Sequence, residues 1–123
     1  MSFSLSSKNK IKSSKEIDLL FSKGRRLKSS GFLLVFLENG KTSSFRVGFS
    51  VGKKAQPLAV DRNKTKRVLR EAFSFCANKF SKRFSASFDL MFVYTESSPP
   101  SFSFTKEQIN CLLLSFYDFV KEH

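Results

Sequence analysis

The sequence predicts an α+β fold: a single small domain with one mixed sheet of about four strands and three helices. Three observations lead there. Apolar residues recur at i, i+3, i+4 spacing in three separate stretches, and in the segments between they alternate or run continuously. The order of these stretches is helix, two or three strands, helix, strand, helix, with no internal repeat. A length of 123 residues at 41% hydrophobic content suffices for one core and no second domain.

Residues 1–12 read as a flexible basic arm ahead of a domain over 13–121. The stretch MSFSLSSKNKIKSSK lacks the continuous apolar segment of a secretory signal. It is Ser-rich and acid-free like an organelle transit peptide, but it lacks Arg and reads first as a plain basic tail. Ser13 and Glu16 form a capping box, in which a hydroxyl serves the N3 amide and the Glu reaches back. Ile17, Leu20 and Phe21 then mark a helix over 13–23, which Gly24 closes at its C′ position. RRLKS, 25–29, is a short edge strand whose charges discourage stray pairing. FLLVFLE, 32–38, is a strand apolar on both faces, followed by the turn signal Asn39-Gly40. In FRVGFSV, 45–51, Phe45, Val47, Phe49 and Val51 point one way, and Arg46, Gly48 and Ser50 the other. A second helix covers 57–77, with Pro57 in its first turn. A basic connection, Lys79 to Arg83, leads to the last strand, FDLMFVY, 88–94, and then to the loop TESSPPSFS. Thr105 and Gln108 make a capping box for the final helix, whose stripe is Ile109, Leu112, Leu113, Phe116 and Val120.

Net charge is +12 and the pI about 10.1. Such a charge points to a polyanionic partner, nucleic acid or an anionic membrane. No run approaches the roughly 18 apolar residues of a membrane span. Sixteen Phe with no Trp read chiefly as core filling. Cys76 and Cys111 lie far apart without a CxxC motif and read as reduced thiols. His123 is the only His, which leaves little for a metal site or a His-based triad.

The densest charge lies in DRNKTKRVLREAF, Asp61 to Phe73. With Arg62 at zero and about 100° per residue, Lys66 falls at about 40°, Arg70 at about 80°, Asn63 at about 100° and Arg67 at about 140°. Thr65, Val68, Leu69, Ala72 and Phe73 occupy the opposite arc. One side packs on the sheet and the other collects Arg62, Asn63, Lys66, Arg67 and Arg70. Arg62, Lys66 and Arg70 make one row spaced by about 6 Å, close to phosphate spacing along a strand. A solvated charged face is the ordinary fate of a basic helix. Four like charges nearly unbroken by acids repel one another, which favours a nucleic-acid face. A membrane-surface role is disfavoured because the apolar side is needed by the core.

RVGFSVGKK (Arg46 to Lys54), Ala59-Val60, RNKTKR (Arg62 to Arg67) and REAF (Arg70 to Phe73) together resemble the bacterial ribonuclease P protein family. That family carries a strand reading RVGxSVxKK and a helix reading RNRxKRxxREAF. A weaker resemblance extends over residues 8–121 and includes KEIDLLFSKG and TKEQINCLL. It implies a ribosomal S5 domain 2-like fold with a left-handed βαβ crossover, against the general handedness rule. It also implies a cytoplasmic ribonucleoprotein in which a large RNA, with Mg²⁺, removes the 5′ leader of precursor tRNA. The protein, a monomer without a membrane role, then has no catalytic residue and no metal site of its own. Its partners are the ribonuclease P RNA and precursor tRNA.

Carried over by position, the implied RNA-binding residues are Arg62, Asn63, Lys64, Lys66, Arg67 and Arg70, with Lys53, Lys54 and Arg46 from the strand motif. Lys64 stands where the motif has its second Arg, keeping charge without bidentate geometry. Between Lys54 and Arg62 the chain is one residue longer than the family pattern. The implied leader cleft lies between the first helix and the sheet, at Ile17, Phe21 and Val35. Ile17 replaces a usual Phe, Val35 a Tyr of some members, and Thr95 stands where an Arg often follows the last strand. Phe32 or Phe36 would supply stacking there only by facing the cleft.

Other classes fit less well. Ten scattered acids offer no paired-carboxylate motif, phosphate loop or activated nucleophile for a protein enzyme. A structural or ribosomal RNA-binding protein shares the charge and fold but not the paired strand and helix motifs. A DNA reader could use Asn and Arg on one helix, yet strands precede this helix, not a helix-turn-helix partner.

Overall fold

A computed structural model describes residues 11, 14–38, 46–77 and 88–122. In chain order these form α1 (Ser14–Lys23), β1 (Arg25–Ser29), β2 (Phe32–Glu38), β3 (Arg46–Val51), α2 (Ala59–Ala77), β4 (Phe88–Tyr94) and α3 (Phe102–Glu122). The strands make one sheet in the order β1-β2-β4-β3. β1 and β4 pair antiparallel with β2, and β3 pairs parallel with β4, so the sheet is mixed. Parallel neighbours need a crossover, and α2 is that crossover.

A two-residue turn sets the β1–β2 hairpin. Ser30 and Gly31 both have positive φ, 41° and 86°, the type I′ geometry that matches strand twist. The Gly31 carbonyl accepts from both the amide and the hydroxyl of Thr95, at 3.0 and 2.9 Å. The hairpin tip is thereby tied to the end of β4. A Cβ on Gly31 would also lie 2.8 Å from Glu96.

The pleat sorts side chains onto two unlike faces. On one, Phe32, Leu34, Phe36, Val47, Leu90 and Phe92 meet α2 and α3 in the main core. Rings knit it together: Phe73 lies 5.4 Å from Phe92, and Phe116 lies 4.9 Å from Phe36 and 5.1 Å from Phe88. Core filling thus accounts for these Phe. On the other face α1 covers a small cluster of Leu20, Val35 and Met91, with Ile17 and Phe21 packed at its edge. Ile11, assigned by sequence to the arm, also packs there.

Local details correct the sequence reading. Helix α2 starts at Ala59, not at residue 57, and Pro57 lies just outside it. Helix α3 starts at Phe102, and its cap is Ser101, whose hydroxyl accepts from the Phe104 amide at 3.2 Å. Thr105 is buried one turn inside, where its hydroxyl donates to the Ser101 carbonyl at 2.7 Å. Gln108, its supposed capping partner, instead accepts from the Ser29 hydroxyl of β1. Gly24 does follow α1, with its amide donating to the Leu20 carbonyl at 2.8 Å. Its φ is not in the left-handed region, however. Glycine is needed there because a Cβ would lie 2.4 Å from the Leu20 carbonyl oxygen and 2.8 Å from Val35. The Ser13 half of the first capping box, the Asn39-Gly40 turn, Phe45 and the Lys79–Arg83 connection lie outside the described residues.

Candidate nucleic-acid interface

Helix α2 is long because its residues satisfy two demands at once. Thr65, Leu69, Ala72, Phe73, Cys76 and Ala77 are buried toward the sheet and α3. Asn63, Lys64, Arg67 and Arg70 are exposed, with Lys66 and Arg62 half-exposed beside them. The wheel is therefore realised, and Lys64 joins the outer surface. Among the described residues no acid pairs with Lys64, Lys66, Arg67 or Arg70. Neighbouring basic rows on one helix cost free energy in the unbound protein.

The start of the helix is fixed by a buried polar knot that the sequence did not announce. Gln56 is fully buried. Its Oε1 accepts from the Thr65 hydroxyl at 2.8 Å, and its Nε2 donates to the Glu96 carbonyl at 3.2 Å. Its amide donates to the Gly52 carbonyl at 3.1 Å, closing the turn that presents the exposed Lys53 and Lys54. Arg62 Nη1 donates to the carbonyls of Gln56 and Pro57 at 2.9 and 2.7 Å. A cation near a helix N-terminus opposes the helix dipole, and these two carbonyls offset that. Arg62 thus serves the fold with one nitrogen and presents the rest of its fork.

Arg46 lies elsewhere. It points to the α1 side of the sheet, directly across from Asp89 in the parallel register. Its Nε and Nη2 donate to the two Asp89 oxygens, both at 2.9 Å. Its Nη1 lies 2.6 Å from Glu16 of α1, and only 17% of its side chain is exposed. The hydrogen bonds to Asp89 raise the Arg46 pKa above its ordinary value, burial opposes this, and the charges of Asp89 and Glu16 add to the rise. Strand, neighbouring strand and helix are joined through one guanidinium.

The α1 face holds the three cleft residues at different depths. Ile17 and Phe21 are half-buried and reach the surface. Val35 is fully buried beneath Gly24 and is floor, not wall. The Phe32 and Phe36 rings belong to the main core, although Phe32 also borders the hollow beside this face. Arg26, Lys28, Leu33 and Thr95 flank an adjoining hollow of about 290 Å³. The sequence by itself assigns Arg26 and Lys28 only to edge protection. The alternation of β1 against β2, with Leu27 turned to the core, was the signal that would have placed them here.

The Ribonuclease P family model matches residues 5–116. The ribonuclease P protein component of Desulfotalea psychrophila is 36% identical over 84 residues, 68% of each chain. That of Chlorobaculum tepidum is 45% identical over 62 residues, 46% of this chain and 40% of that protein. The chain spans about half the length of the first curated relatives it matches. The fold superimposes on the RNase P protein of Staphylococcus aureus with a TM-score of 0.69 at 25% identity, covering 85% of this chain and 92% of that one. For the RNase P protein of Thermotoga maritima the TM-score is 0.68 at 25% identity, with 85% and 94% covered.

Proposed function

This chain belongs to the ribonuclease P protein family, and from that premise we propose that it is the protein component of a ribonuclease P ribonucleoprotein. It binds the catalytic RNA along the outer face of α2 and helps remove the 5′ leader from precursor tRNA. The observation that supports this best is the division of α2: a buried inner face and an outer face of Asn63, Lys64, Lys66, Arg67 and Arg70 without acidic partners among the described residues. Lys53 and Lys54 extend that charge from the preceding turn.

In this reading the protein supplies positive charge between two polyanions. The chemistry and its Mg²⁺ sit with the RNA, and no side chain of this chain is assigned to them. The leader lies along the α1 face against Ile17 and Phe21, over a floor containing Val35. Arg46 contributes by holding α1 to the sheet, not by reaching phosphate. The protein works as a monomer in the cytoplasm, where precursor tRNA is found.

Reconstitution tests the proposal. The protein is mixed with a bacterial-type ribonuclease P RNA and precursor tRNA at low Mg²⁺. Cleavage at the mature 5′ end should be stimulated, and precursor should bind more tightly than leaderless product. Affinity should fall steeply with salt as counterions are released. No stimulation, or cleavage by the protein alone, overturns the reading.

A further inference from the structure

Where the outer face of α2 meets α3, two rings stand in solvent. Phe75 is 54% exposed and Phe102 is 40% exposed. They meet edge-to-face at 6.3 Å, and the Lys106 ammonium lies 4.8 Å from the centre of Phe75 and 5.9 Å from that of Phe102. Beside them Phe75, Cys76, Lys106, Glu107 and Asn110 line a groove of about 180 Å³. That volume is below the roughly 300 Å³ at which small-molecule pockets begin. It suits one flat ring.

Phe75 lies about 20° around the helix from Lys64 and about 80° from Arg67, so the ring continues the basic face toward its C-terminal end. Two acids, Glu71 and Glu107, make this end less positive than the other. A phosphate is therefore a poor occupant, while a base whose backbone follows the basic face is a good one. Single-strand sites combine such a cationic track with an aromatic platform. The Asn110 amide both donates and accepts. The Glu107 carboxylate accepts from an exocyclic amine such as that of cytosine. A second copy of the chain is the poorer fit, because each copy has net charge +12 and the charge flanks the patch.

We propose that Phe75, Phe102, Lys106, Glu107 and Asn110 form a subsite for one unstacked nucleobase of the RNA that runs along α2. The subsite rests on the RNA-binding reading above and adds a contact to it. Phe75 is the platform, Lys106 closes one side and offers its ammonium to the sugar-phosphate, and the polar pair reads the base edge.

The chain contains no Trp, so Phe75→Trp places its only indole in the subsite. Full-length Phe75→Trp is titrated with ribonuclease P RNA while wild type, Phe75→Ala and Phe75→Leu are followed by filter binding. The indole emission should be quenched on binding. Phe75→Ala and Phe75→Leu should each weaken RNA affinity by about 5- to 150-fold, the range for loss of one stacked base, with Phe75→Trp close to wild type. Thermal midpoints should stay within a few degrees of wild type. RNA binding with unchanged indole emission, or with Phe75→Leu within twofold of wild type, overturns the subsite and leaves the RNA-binding reading intact. Failure of wild type to bind the RNA overturns both. Sedimentation of the free protein as a dimer that Phe75→Ala dissolves assigns the patch to self-association and overturns the proposal.

Discussion

The two faces of the sheet come from the same four strands but are finished differently. One is sealed by the long helices α2 and α3 over a continuous layer of Phe, Leu and Val. The other carries a ten-residue helix whose Leu20 is buried against Val35 and Met91, assisted by an ion cluster, with Ile17, Phe21, Leu33 and Val93 left half-buried. The first face makes the protein stable. The second is packed less completely and leaves apolar side chains at the surface. Placing stability on one face frees the other from having to be fully packed.

The largest test of this contrast is Phe73→Ala, which removes a fully buried ring between α2 and the sheet. It should cost about 3–5 kcal/mol of unfolding free energy, measured by urea denaturation. Leu20→Ala on the α1 face should cost about 2 kcal/mol, the low end for such changes, and should expose α1 to protease before the rest of the molecule. Equal costs with no local proteolysis would erase the contrast.

Arg46→Ala strips Asp89 and Glu16 of a shared, mostly buried counter-charge. A loss of about 2–3 kcal/mol is expected, less than for a fully buried pair because Glu16 is partly exposed. Stability and α1 protection should fall together. If affinity for the RNA falls while both stay unchanged, Arg46 is a direct RNA contact instead. Gly24→Ala probes the same junction sterically, since the added methyl meets the Leu20 carbonyl and Val35. It should destabilise by about 1–3 kcal/mol, as overpacking does.

Tyr94→Phe reports on the sealed face. The Tyr94 hydroxyl donates to the Ser98 carbonyl at 2.8 Å, and its loss should cost about 1 kcal/mol. Burial first, and then the charge of Glu96, raise the Tyr94 pKa above its ordinary 10.0. The contribution is therefore complete below pH 10.0 and is lost as pH rises through the higher folded value. The stability gap between wild type and Tyr94→Phe should close over that window. Arg67→Ala, at the exposed end of the scale, should leave the denaturation midpoint unchanged. It should weaken RNA binding and lower the salt slope by about one.

Six of the seven elements were legible from their apolar patterning, while β1, with Leu27 as its one apolar residue, was legible only as a charged edge; the basic face of α2 followed from helical periodicity. The family resemblance supplied the motifs. What escaped depends on which elements become neighbours. Gln56 gave no sign of burial, because its partners Thr65 and Glu96 lie on other segments. Arg46 looked like one more cation until the parallel register set it opposite Asp89. Thr105 and Gln108 match a capping box by spacing alone, and Ser101 won because it is the first residue past Pro99-Pro100, where the backbone can first become helical. Phe32 and Phe36 could be assigned to a face only after β2 was placed between β1 and β4.

The strand order has a kinetic consequence. β4 is the last strand in the chain, yet it lies between β2 and β3 and supplies every pairing β3 has. Until residues 88–94 are available, β1 and β2 can exist as a hairpin, but β3 and the charged helix after it have no sheet to join. Closure is therefore a late event of high contact order, which favours slow folding. During that interval α2 is a positively charged amphipathic segment with its apolar side uncovered. A polyanion that neutralised its outer side before β4 arrived would relieve the repulsion that opposes helix formation.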